Sequence, residues 1–98
     1  MKYTEMVLAM AREERATQET LRPIRNWGSL EDESYHVLNT VLSEETGEIA
    51  RAMLELERGK GLDYTNLDNL RNEAIQAAAV ALQIAEKATI HIYEILEK

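Results

Sequence analysis

Ala74 to Ala85 reads AIQAAAVALQIA, a stretch that is apolar around nearly the whole circumference of a helix. Such a helix has to be covered on two sides. Its small alanines let neighbouring helices approach closely, yet a chain of 98 residues has room for only one core. Three helices from one such chain do not easily cover it. The expected fold is therefore all-α: a helical bundle of about three helices per chain, completed as a four-helix-type bundle by homo-oligomerisation into a homodimer or homotetramer.

The rest of the chain agrees with an all-helical reading. Tyr3, Met6, Val7, Met10 and Ala11 fall at i, i+3, i+4, i+7 and i+8, a helical stripe over about residues 3–20. The Met6/Met10 pair reads as core filling. Leu21 to Glu33 contains the only proline and then Asn26-Trp27-Gly28-Ser29, a structured loop. A second helix is expected from about Ser34 to Arg58, with Gly59 as its C′ residue. Thr65, three residues before Asp68, resembles a capping box that opens a third helix over about 66–96. The β-branched and aromatic residues nowhere alternate as a strand requires.

The chain has 11 Lys and Arg against 18 Asp and Glu, a net charge of −7, which argues against nucleic acid and anionic membranes as partners and allows cation binding. Without cysteine there is no thiol nucleophile, thiolate zinc site or disulfide. No apolar run approaches 18 residues and the N-terminus lacks a signal-type apolar core, so a soluble cytoplasmic protein is expected.

Carboxylates interrupt the apolar stripe of the second helix. On a helical wheel Leu38, Val41, Leu42, Ile49, Ala52, Met53 and Leu56 span about 60° to 180° from Glu44. Glu45 falls near about 100°, inside that stripe, and Glu48 near about 40°, at its margin. An ionised carboxylate in an apolar stripe needs a cation or strong donors. Arg51 and Arg71 are the candidate salt-bridge partners, although clustered acids need more positive charge than either supplies. On the third helix Glu73 sits at the edge of the apolar face, with Gln76 one turn on. Two facing helices then offer Glu45, Glu48, Glu73 and Gln76 to one space, and oxygen-only donors select Mg²⁺ or Mn²⁺. Di-iron is disfavoured because neither His36 nor His91 stands three residues after a candidate Glu.

At Glu44-Glu45-Thr46-Gly47-Glu48 and Glu73-Ala74-Ile75-Gln76 the sequence resembles the MazG-like all-α nucleoside triphosphate pyrophosphohydrolases. Their hallmark is Glu-Glu-x-x-Glu on one helix and Glu-x-x-Asp on the next, and Asn26-Trp27-Gly28 ahead of the second helix also looks familiar. The likeness runs over about residues 12–90 and treats residues 1–98 as a single MazG-like domain. It departs at Gln76, which stands where the family has Asp. The resemblance implies Mg²⁺-dependent hydrolysis of (deoxy)nucleoside triphosphates to monophosphate and pyrophosphate, a nucleotide-pool cleaning activity. Glu45, Glu48 and Glu73, with Gln76 as a fourth, would hold the metal, and Glu44 would orient or deprotonate the attacking water.

Around that centre Arg58, Lys60 and Arg71 flank the second interhelical loop and are candidate phosphate contacts. Trp27 either stacks on a base or caps the bundle, with capping favoured. His36, off the apolar stripe, and His91, near the chain end, are expected at the surface. Two other readings keep the bundle: a catalytically inactive helical oligomerisation or binding module, and a pyrophosphohydrolase acting on a phosphoribosyl nucleotide.

Overall fold

The computed structural model describes the backbone of residues 1–98 apart from Asn26, Glu31 and Gly61, and side chains apart from these and Gly59 and Lys60. It is an all-α bundle: α1 (Lys2–Leu21), α2 (Tyr35–Glu55), a π-helical turn (Leu56–Lys60) and α3 (Tyr64–Leu96). Among the described residues there is no strand, and no helix is long and apolar enough to cross a membrane. α3 is the central element, with α1 and α2 packed on it and not on each other.

Local chemistry sets the helix ends. Ser34, with extended backbone angles of −77° and 152°, accepts the Val37 N–H on its hydroxyl at 3.1 Å and starts α2. Asp63 does the same for α3, its carboxylate accepting the Asn66 N–H at 2.8 Å. This corrects the expected capping box at Thr65. An Asp one residue before the helix satisfies a free N–H two residues earlier, and Thr65 lies inside the helix. Gly59 likewise is not the C′ residue of α2, because the chain continues past Glu55 in wider π-helical turns through Lys60.

The core is small and alanine-rich: Ala11 of α1, Leu38 and Ala52 of α2, and Ile75, Ala77, Ala79 and Val80 of α3. Small side chains bring the three backbones close, as the sequence of α3 requires. The N-terminal half of the α1 stripe is not covered. Tyr3, Met6, Val7 and Leu8 are exposed, Met6 by 50%, so within one chain Met6 is not core filling and only Met10 is half-buried. Ile92, Ile95 and Leu96 at the far end of α3 are exposed as well.

Polar contacts tie the frame together. Arg15 of α1 makes a two-pronged contact to Glu86 of α3, with Nε–O distances of 3.1 Å, and also reaches Glu19 at 2.9 Å. The Tyr35 hydroxyl meets His91 Nδ1 at 2.6 Å, and the two rings pack edge to face. His91 is therefore half-buried and engaged, where the sequence placed it at the surface; His36 is exposed as expected. The buried Lys87 ammonium lies 5.4 Å from the centre of the Tyr35 ring and donates to the Leu30 carbonyl, holding the α1–α2 connection against α3.

Candidate metal centre

Glu45 and Glu48 lie on one face of α2, three residues and hence one turn apart. Packing of α2 on α3 sets Glu73 opposite them. The three side chains each offer a carboxylate oxygen, and these oxygens lie within 4.8 Å of one another. Glu45 Oε2 and Glu73 Oε2 are fully buried and meet no hydrogen-bond donor. A buried acceptor without a donor costs on the order of 1–3 kcal/mol, and more when charged. Two members of one three-carboxylate cluster carry such an oxygen, and the cluster is an oxygen donor set suited to a hard divalent cation.

The titration behaviour follows from the same crowding. Burial pushes Glu45 up, and the charges of Glu48, Glu14 and Glu44 push it further, while Arg25 opposes them. Glu73 is pushed up to about 7, first by the hydrogen bond its protonated form makes to Glu48, then by burial and by the charges of Glu48 and Glu45; Arg51 opposes. Like charges in a partly dry space cannot all ionise unless a cation joins them.

An arginine salt bridge does not account for the cluster. Arg71 is engaged by Asp68 at 2.6 Å, and among the described residues no cation forms an ion pair with Glu45, Glu48 or Glu73. Arg51 and Arg25 act on it only through their fields. Among the described residues, positive charge therefore offsets the cluster without pairing with it.

The other sequence candidates divide. Glu44 is exposed at the rim and adds to the negative field at Glu45. Gln76 follows Glu73 by one turn and is half-buried, but its recorded hydrogen bond is made by its backbone carbonyl, which accepts from Gln18 Nε2 at 3.3 Å. Trp27 is half-buried, with the Arg22 and Arg25 guanidinium groups each 5.6 Å from its ring centre. Arg58 is exposed on the π-helical turn and Arg71 is exposed on α3. The Lys60 side chain lies outside the described residues.

Two residues near the site are not among the sequence candidates. Glu14 of α1 acts on Glu45 of α2, and Arg25 both touches Trp27 and offsets the charge of Glu45. The spacing of Glu14, Gln18 and Arg22 at i, i+4 and i+8 was the one available hint, since it puts three polar groups on a single face of α1. No protein-family model matches the chain, and neither a curated protein nor a solved structure is significantly similar to it.

Proposed function

We propose that the protein is a Mg²⁺-dependent nucleotide pyrophosphohydrolase that converts (deoxy)nucleoside triphosphates to monophosphate and pyrophosphate, as the likeness to the MazG-like enzymes implies. The observation that carries the reading is the pair of buried, donorless oxygens on Glu45 and Glu73 in a three-carboxylate cluster. Mn²⁺ is the natural substitute for Mg²⁺ at such a site. A bound divalent cation supplies charge neutralisation to the phosphates and acidity to a coordinated water.

The chain's own residues have distinct tasks in this scheme. Glu45, Glu48 and Glu73 hold the cation from two helices, with the Gln76 amide oxygen as a weaker fourth donor. Glu44 stands at the exposed rim, where its carboxylate can accept a proton from the attacking water. Arg58 and Arg71 are the positive charges offered to phosphates, Arg71 from its contact with Asp68, and Lys60 is given the same role from its place in the sequence. Trp27 offers an aromatic face for a base at the cost of its arginine contacts.

The same reading includes self-association, and the surface of the single chain supports it. Its accessible area is 7103 Å², against about 5,700 Å² for a monomer of this mass. The radius of gyration is 15.8 Å, against about 13 Å for a compact domain of this length. The excess of roughly 1,400 Å² exceeds what one partner buries in a standard interface, and exposed Tyr3, Met6, Val7 and Leu8 lie within it.

Pyrophosphate release from the standard ribo- and deoxynucleoside triphosphates, with Mg²⁺, Mn²⁺ or chelator, tests the activity. Metal-dependent release with the matching monophosphate is expected, and Glu45→Gln or Glu48→Gln should abolish it with helicity intact. Release of single phosphate would mean that a different bond is cut. A full panel without turnover would favour the non-catalytic helical module.

A further inference from the structure

The polar groups buried beside the acidic cluster form one continuous chain. Arg22, Gln83 and Gln18 are only 2%, 1% and 7% exposed. A guanidinium has donors and no acceptor, so Arg22 Nη2 must meet the amide oxygen of Gln83. Gln83 then donates from Nε2 to Gln18 Oε1 at 2.6 Å. Gln18 is left with its own Nε2, which meets two acceptors: the Gln76 carbonyl at 3.3 Å and Glu14 Oε1 at 3.4 Å. Reversing Gln83 would set donor against donor at Arg22, and reversing Gln18 would set donor against donor at Gln83, so the buried cation fixes the polarity of the whole chain.

One nitrogen therefore ties Glu14 of α1 to the turn of α3 that separates Glu73 from Gln76. Glu14 is half-buried, and it is not among the three acids whose oxygens converge. It nevertheless lies close enough to Glu45, across the bundle, for the two carboxylates to interact electrostatically.

We infer that Glu14 is a fourth acidic member of the site, a positioning carboxylate held by Gln18 that supplies, from α1, the negative charge that Gln76 does not supply from α3. The inference rests on the cation-binding reading of Glu45, Glu48 and Glu73. Mg²⁺ keeps several of its waters when protein carboxylates bind it, and a carboxylate outside the direct ligands accepts hydrogen bonds from such waters. Groups of this kind typically change metal affinity about 10- to 100-fold when removed.

The test is calorimetric titration of Mg²⁺ alone into the full chain, with Mn²⁺ binding followed in parallel by electron paramagnetic resonance. Glu14→Gln keeps the acceptor oxygen for Gln18 and should preserve helicity while weakening Mg²⁺ binding by at least about tenfold. Glu13→Gln removes the same charge from an exposed neighbouring position and should leave affinity close to that of the unmodified protein. Adding Gln76→Asp to Glu14→Gln should restore most of the loss. Equal effects of Glu14→Gln and Glu13→Gln, or no recovery in the double variant, would overturn the role of Glu14 while leaving the three-carboxylate site standing. Absence of saturable binding by the unmodified protein would overturn both.

Discussion

Glu73 holds its proton near neutral pH because Glu48 stands beside it and Glu45 close by, in a partly dry space. The cause is specific enough to be removed. Glu48→Gln takes away one negative charge and leaves an amide that can donate to a carboxylate, so the Glu73 titration should fall back toward the ordinary carboxylate range. Carbon-13 NMR titration of the side-chain carboxyls would follow this directly; an unmoved Glu73 would mean that burial, not Glu48, sets its behaviour. Glu45 differs in its leading cause. Burial comes first there and neighbouring charges after it, so the same substitution should lower Glu45 less.

The helices present these acids because their ends are fixed by single side chains. Ser34 starts α2 ten residues before Glu44, and Asp63 starts α3 ten residues before Glu73. Ser34→Ala and Asp63→Ala should each cost about 1 kcal/mol in urea-induced unfolding, whereas Thr65→Ala should cost distinctly less because Asp63 already occupies the capping role. At the other end of α2 the π-helical turn carries Arg58 away from the regular helical register. A periodic reading of Ser34 to Arg58 therefore places Arg58 on the wrong face.

For the molecule as a whole, the uncovered apolar start of α1 and the outsized surface of the single chain lead to a prediction about assembly. Light scattering after gel filtration should give at least twice the 11.2 kDa chain mass, and Met6→Glu should shift the population toward single chains. Stability should also depend on pH with a sign that the acidic cluster sets. Glu73 titrates near 7 in the fold and near 4.5 in an ordinary environment. Its contribution is fully present below about 4.5 and is lost as pH rises through 7, and Glu45 acts in the same direction. Glu19, held low by Arg15 and Arg22 against the opposing effect of burial, acts oppositely, and its contribution is lost only below the ordinary range. Metal-free protein should therefore melt higher at pH 5 than at pH 8, with Mg²⁺ recovering the difference at pH 8, where it takes the place of the proton. Equal melting at both pH values would show that the carboxylates are less coupled than their geometry requires.

Helical periodicity is a local property. The all-α class, the three helices and the inward aim of Glu45 were accordingly legible in the order of residues, because a 3.6-residue repeat shows which side chains share a face before any packing occurs. Glu73 was legible for the same reason, as an acid at the edge of an apolar face. Cap choice was less so, because Asp63 and Thr65 are both competent caps and the difference lies in which backbone N–H is free. The bond partners of buried polar groups were not legible at all. Gln83 stands in an otherwise apolar run, and nothing along the chain says that Arg22 and Gln18, more than 60 residues away, meet it there. The sequence by itself determined the helices and the acids they carry. Only the tertiary structure decided that Glu14 and Arg25 lie near those acids and that, among the described residues, no arginine forms an ion pair with them, because the field at a carboxylate sums over every charge brought close by packing.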